Sequence, residues 1–307
     1  MAASTAMPSG HLRALVLGGG GSLGRAFHWG LAAGFLDAGI DLREADLIIG
    51  TSAGSMTGAR LALGADPRQG LPFIDPPSSA SPAGVASAFQ QLTAACARAL
   101  TSPNPEDEWR AVGQMALTAR TPSESASLAR ESMASLVGHP WPANYRATAV
   151  DANTGRFQLW GPDSGVPLQR GVASSGALPG VWPPVTIGES RYVDGGVRSM
   201  LNADLAAGSA RVLVISCFDL SSPPDAPEPT RLMNDALRAE IDRLGQSGLD
   251  VEVITPGNAF LKLSGYGAKM LDGSLVPEAY ALSREQAQNE STRIRRLWNT
   301  QGLTLLG

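Results

Sequence analysis

Leu47-Ile48-Ile49-Gly50-Thr51-Ser52-Ala53-Gly54 is a short apolar run that enters a G-x-S-x-G turn, and a stretch of mostly small residues follows it to about Leu63. The apolar run reads as a buried strand and the stretch after Gly54 as a helix. A G-x-S-x-G between strand and helix can hold a serine exposed on a sharp, strained turn, with the flanking glycines letting the chain reverse and the helix pack close to the strand. The same residues also fit an ordinary strand-to-helix turn in which serine caps the helix. Taken alone, the motif does not choose between nucleophile and cap.

Upstream, the pattern repeats. Residues 12–17 form a short, mostly apolar run, Gly18-Gly19-Gly20-Gly21 follows, and a helix-like stretch over 23–38 carries small residues at Ala26, Gly30, Ala33 and Gly34. Strand, turn, helix, strand, turn, helix over the first 64 residues predicts an α/β fold with a parallel sheet. Residues 65–140 break the pattern. A Pro- and Ser-rich loop is expected over 70–84, then helices over 85–100, 106–120 and 123–137, together a helical insertion or cap. Strands return over 145–150 and 156–160 around an Asn153-Thr154-Gly155 turn, and further strands are expected over 191–193, 211–217 and 251–254. Helices are expected over 230–244 and 276–299. No internal repeat or linker divides the chain, so residues 1–307 are read as a single domain.

Composition narrows the function. Hydrophobic residues are 43% of the 307 and charged residues 17%, which is a globular balance. The net charge of −4 comes with no basic stripe, so a nucleic-acid partner is not expected. Cys96 and Cys217 are isolated, which argues against a zinc site or a disulfide framework. No metal or other cofactor is expected. No apolar stretch approaches the ~18–20 residues that span a bilayer. No signal peptide is read at the N-terminus, and a cytoplasmic location is the expectation.

Three places carry candidate chemistry. Ser52 is the first. The second is the glycine run, in which Gly19, Gly21 and Gly24 fit G-x-G-x-x-G. A dinucleotide site is one reading, but the acidic residue it needs belongs at the end of the next strand, and Asp41 precedes that strand. The other reading is a nest of backbone N–H groups for an oxyanion at a helix N-terminus. Asp194-Gly195-Gly196 is the third, and alone it is a plain Asp-Gly turn. The three histidines, His11, His28 and His139, all precede it. A Ser-acid-His order is therefore excluded, and a carboxylate is the expected base for Ser52.

Gly-rich loop, Gly-Thr-Ser-Ala-Gly and Asp-Gly-Gly, in that order, resemble the patatin-like phospholipase family. Residues 173–184, Ala-Ser-Ser-Gly-Ala-Leu-Pro-Gly-Val-Trp-Pro-Pro, and Tyr192-Val193-Asp194-Gly195-Gly196-Val197 extend the likeness, which covers residues 12–64 and 144–217. The resemblance implies a three-layer sandwich around a mainly parallel sheet. It also implies a Ser52–Asp194 dyad, an oxyanion hole from the amides of Gly19, Gly20 and Gly21, and motif support from Gly24, Gly50, Gly54, Gly195 and Gly196. The implied reaction is hydrolysis of lipid acyl esters, of phospholipase A or lysophospholipase type, with transient contact to a membrane surface. A carboxylesterase on short or mid-chain soluble esters is the alternative, and a dinucleotide-binding protein a more distant one. Two departures stand out: Leu23 occupies a position where the family carries Arg or Lys, and the segment after Asp-Gly-Gly lacks the family's Asn-x-Pro.

Overall fold

The computed structural model describes residues 13–71, 102–221 and 228–299, with 84, 87, 91, 92, 94, 95 and 97–99 between the first two spans. Strand β1 (Arg13–Leu17) is paired in parallel with β2 (Leu47–Gly50) on one side and β7 (Arg211–Ile215) on the other. Strand β3 (Tyr145–Asp151) extends the parallel set beyond β2, and β8 (Asp250–Ile254) extends it beyond β7. Antiparallel strands complete the eight-stranded sheet: β4 (Phe157–Trp160) and β6 (Ser190–Asp194) pair with β3, and β5 (Val185–Ile187) pairs with β6. Strand β2 is apolar throughout, and β1 and β7 are apolar after their first residues, Arg13 and Arg211, because both faces are covered, as in parallel sheets generally.

Alternation along the strands sorts the two faces. Leu15 and Leu17 of β1, Ile48 of β2 and Leu213 and Ile215 of β7 join one core. Helices α1 (Gly21–Asp37), α2 (Ala53–Ala62), α6 (Leu168–Ser175), α8 (Asn258–Leu263) and α9 (Val276–Trp298) cover it. Ala14, Val16, Ile49, Val212 and Val214 face the opposite core, closed by α3 (Pro105–Thr118) and α7 (Glu228–Gln246). The result is a mixed, mostly parallel sheet between two helical layers. Because β2 and β7 flank β1 on opposite sides, the chain reverses direction there, and in open α/β sheets ligands bind at the carboxyl ends beside such a point. The glycine run and Ser52 both sit at those ends.

The small residues of α1 have a packing role. A Cβ on Gly30 would lie 2.4 Å from the Tyr280 carbonyl oxygen, and one on Gly34 would lie 2.4 Å from that of Arg284. Helix α9 therefore crosses α1 at backbone distance, fixing the helix that begins at the Gly-rich loop.

Several expectations need correction. The helix expected over 123–137 is two short ones, α4 (Glu124–Leu128) and α5 (Glu131–Ala134). Arg130 leaves the helix with ψ 142°, stacks over the Trp182 ring at 3.9 Å and donates to the Ser127 carbonyl at 3.0 Å. The strand expected over 211–217 stops at Ile215, and α6, β5 and α8 were not anticipated as elements. Most of the loop expected over 70–84 and part of the helix over 85–100 lie outside the described residues. Helix α3 of the insertion packs on the sheet: a Cβ on Gly113 would meet the Ala152 carbonyl oxygen at 2.3 Å. No helix among the described residues is long and apolar enough to cross a membrane.

The packing separates two kinds of helical glycine. Gly34→Ala should destabilise the protein by about 1–3 kcal/mol through overpacking. Gly245→Ala in α7, where a Cβ meets nothing within 4 Å, should be neutral or stabilise by up to about 1 kcal/mol. Urea unfolding of the two variants tests this, and equal effects would contradict the close α1–α9 contact.

Candidate active site

Ser52 occupies a backbone conformation that serine rarely adopts, φ 54° and ψ −117°, between β2 and α2. Such a residue costs about 1–3 kcal/mol and persists only where its surroundings enforce it. Here the enforcement is visible. Thr51 N donates to the Leu17 carbonyl at 3.0 Å, and Gly54 N donates to Thr51 O at 2.8 Å and to Gly18 O at 3.2 Å. The Ser52 amide donates to the Ser175 hydroxyl at 3.0 Å. Neither neighbouring glycine can be replaced in place: a Cβ on Gly50 would meet Ser55 Cα at 2.5 Å, and one on Gly54 would meet the Leu17 carbonyl oxygen at 2.0 Å. The Ser52 side chain makes no capping hydrogen bond to α2. The N-cap alternative therefore fails, and the hydroxyl is left at the mouth of a helix.

Asp194 ends β6, in register with Ala149 of β3. Its carboxyl is buried, at 1% exposure. Oδ1 accepts from Gly196 N at 2.8 Å, which is the ordinary Asx turn that an Asp-Gly pair makes. Oδ2 is buried with no hydrogen-bond partner among the described residues. Burial raises the carboxyl from an ordinary 3.8 to about 7, with the Gly196 amide and the Ser52 hydroxyl pulling the other way. The Ser52 hydroxyl is thus near enough to the carboxyl to favour its charged form. Gly195 lets the turn lie on β3, since a Cβ there would meet Thr148 Oγ1 at 2.1 Å.

The Gly-rich loop completes the arrangement. A Cβ on Gly19 would sit 3.4 Å from Ser52 Cβ and 2.7 Å from Met200 Cε, while one on Gly196 would sit 2.8 Å from Met200 Sδ and 3.1 Å from Asp194 Oδ1. The loop, the serine turn and the aspartate turn therefore meet around Met200. The three expected amides are not equivalent. Gly19 N is committed to the Met200 carbonyl at 2.8 Å, so Gly19 is corrected from a donor to a wall of the site. The amides of Gly20 and Gly21 have no acceptor among the described residues, and they lie at the start of α1, where backbone N–H groups lack intrahelical partners. Gly21 has φ 60°. Gly24 lets α1 approach α2, with 3.0 Å between its Cβ position and Cys217 Sγ and 3.5 Å to Ala53 Cβ.

Residues 15–207, well over half of the chain, match the profile of the patatin-like phospholipase family. The chain belongs to that family. Among solved structures it is similar to VipD from Legionella pneumophila, at 11% identity and a TM-score of 0.41, covering 92% of this chain and 67% of VipD. It is also similar to the type III effector protein ExoU, at 16% identity and a TM-score of 0.40, covering 92% of this chain and 53% of ExoU. The patatin-like chain thus spans about two thirds of the first and about half of the second. No curated protein sequence matches it. Family membership supports a hydrolase that acts on lipid esters.

The remaining candidates fall away from the centre of this patatin-like site. Asp41 caps the turn before β2 and is held by Arg43 at 2.7 Å, so it is not placed to contact a ribose. His28 is buried, with Nε2 3.1 Å from Cys217 Sγ. Burial drives its pKa to about 3 against a smaller opposing effect of the Ile215 backbone, so it is neutral at physiological pH. Cys217 is likewise buried, and burial pushes its thiol upward. His139 is exposed on a loop, and His11 and Cys96 lie outside the described residues. Leu23 is fully buried, so the place of the family's cation here belongs to the core. The structure also brings Ser175, Met200 and Asn202 to the site. Only the position of Ser175 in the Ala-Ser-Ser-Gly run hinted at any of them.

Burial of Asp194 has a sign that can be checked without an activity assay. Because its folded pKa lies above its unfolded value, the native state binds more protons between about pH 4 and 7, and stability falls as pH rises through that window. Asp194→Asn should remove this dependence, so its stability relative to wild type should grow from pH 4 to pH 7. Parallel stability curves for the two proteins would show that the carboxyl is not buried as described.

Proposed function

We propose that the protein is a serine hydrolase of lipid acyl esters working through Ser52 and Asp194. The carrying observation is a strained serine whose hydroxyl makes no capping bond to α2, beside a buried aspartate whose Oδ2 has no other partner among the described residues. Ser52 Oγ attacks the ester carbonyl carbon and its proton passes to Asp194 Oδ2. The carbonyl oxygen, now an oxyanion, is stabilised by the amides of Gly20 and Gly21 and by the positive end of α1. The carbon–oxygen bond to the alcohol breaks as Asp194 returns the proton to the leaving group. Water then attacks the acyl-serine, gives a proton to Asp194, and the acid leaves as Ser52 Oγ regains one. An aspartate of ordinary pKa is a poor base at neutral pH, and desolvation supports the role by raising its affinity for the proton.

The buried, apolar Leu23 favours a second reading on substrate. With no cation at that point of the loop, the same machinery would serve a carboxylesterase on short or mid-chain soluble esters. A panel of p-nitrophenyl esters beside phospholipids separates the two, and phospholipids hydrolysed as well as the best soluble ester support the first.

Ser52→Ala should lower kcat by roughly 10⁴-fold or more, with the fold intact by circular dichroism. A fluorophosphonate should label wild-type protein at Ser52 alone. Asp194→Asn should be nearly as inactive, whereas folded His28→Ala and His139→Ala should retain substantial activity. For wild type, kcat/KM should rise with pH through about 7, because the protonated aspartate cannot accept the serine proton and the ionised one can. A profile flat from pH 5 to 9, or a folded Asp194→Asn of near-normal kcat, would remove Asp194 as the base.

A further inference from the structure

Asn202 is fully buried and sits in the left-handed region at φ 52°. Its Nδ2 donates to Thr51 Oγ1 at 3.0 Å and to the Ser199 carbonyl at 2.7 Å, and approaches the Gly195 carbonyl at 3.3 Å. Its Oδ1 accepts from the Arg198 guanidinium at 2.6 Å. The amide is therefore oriented by its partners, nitrogen toward oxygens and oxygen toward a cation. Thr51 directly precedes the serine and Gly195 directly follows the aspartate. One side chain thus spans the two turns whose separation sets the Ser52–Asp194 contact.

The spanning residue is itself held from outside the site. Ser199 Oγ accepts from Leu201 N at 3.1 Å and Asn202 N at 3.0 Å, and donates to Glu240 Oε2 at 2.7 Å. Ala203 N donates to Glu240 Oε1. Arg198 is fixed by a two-point contact with Asp204, at 3.0 and 2.6 Å. Glu240 lies on α7, buried at 7% exposure, with no part in the proposed chemistry. On the receiving side, Thr51 Oγ1 lies 3.0 Å from Thr148 Oγ1 of β3, so the contact is braced against the sheet.

We propose that Asn202 is the positioning residue that keeps the nucleophile turn and the aspartate turn in register, with Glu240 and Ser199 holding it in place. The inference rests on the Ser52–Asp194 reading. It gives a function to the segment that lacks the family's Asn-x-Pro: a buried asparagine seven residues after Gly195 ties Asp194 to Ser52 from behind. Displacement of a reacting group by about 1 Å can cost roughly 10²-fold in rate, so losing such a tie should act on turnover more than on binding.

Two variants test it. Asn202→Gly keeps the left-handed backbone without strain and removes the amide. Thr51→Val leaves the Asn202 loop intact and removes the oxygen that receives it. With p-nitrophenyl butyrate, each should lower kcat per folded molecule by about 10- to 100-fold while KM stays within about threefold. The double variant should lose little more than the worse single one, because both break the same contact. In Asn202→Gly the acidic limb of the pH profile should also move below that of wild type, as water reaches Asp194 and its carboxyl relaxes toward the ordinary value. A lower melting temperature with kcat and the acidic limb unchanged would make Asn202 merely structural and overturn the proposal. If Asn202→Gly does not fold, Thr51→Val decides: near-normal kcat rejects the tie and a large loss with unchanged KM supports it. Wild-type protein inert to both ester and fluorophosphonate would instead overturn the Ser52–Asp194 reading, and the role of Asn202 with it.

Discussion

The site depends on one close contact, that of Gly54 with the end of β1. No side chain fits between the start of α2 and the Leu17 carbonyl, and the Gly54 amide reaches across to Gly18. This contact joins the two strand-to-helix turns at the backbone level. With the start of α2 pressed against β1, the chain leaving β2 must reverse within Thr51 and Ser52, and the positive φ of Ser52 follows. The same contact places the Gly-rich loop beside the serine. Helix α9, crossing α1 at Gly30 and Gly34, keeps the far side of that loop from moving away.

Against this rigid pair the aspartate arrives from a different part of the sheet. Strand β6 runs antiparallel to β3, so its carboxyl end delivers Asp194 into the interior beside the Ser52 turn. Burial then sets the chemistry. Buried beside the Gly196 amide, the carboxyl loses hydration and holds its proton up to about neutral pH, which suits the base role proposed for it without a histidine. His28 shows the same physics with the opposite sign. Burial removes its charge and leaves it as a core residue beside Cys217.

Much of this was legible in the sequence where local signals agree. The runs before Gly18 and Thr51, the glycines after them and the Asn153-Thr154-Gly155 turn each combine a hydrophobic period with turn chemistry, and the strands and helices there fall within a residue or two of expectation. Ser52 and Asp194 stand out as candidates because glycines flank them, because the histidines lie in the wrong order and because the order of motifs resembles the patatin-like family. What escaped depends on contacts distant in the chain. Nothing near Gly19 announces that the carbonyl of Met200 will take its amide. Asn202 reads as one polar residue among several until the fold sets it against Thr51. Arg130 breaks a helix for a Trp182 ring that only the tertiary structure supplies. The three-residue β5 is too short for any period to mark.

The conformation of Ser52 also bears on how this fold can vary. At φ 54° the turn is suited to glycine, and any other residue there works against the backbone. Substitutions selected for stability alone would drift toward glycine at this position and erase the hydroxyl. A serine in so unfavourable a place costs stability that a glycine would not, so the hydroxyl is the part of the turn that folding does not need. The glycines at 50 and 54, which no larger residue can replace in place, hold the turn whatever residue stands between them. A variant without the Ser52 side chain would keep the elbow as an empty socket, recognisable by its backbone alone.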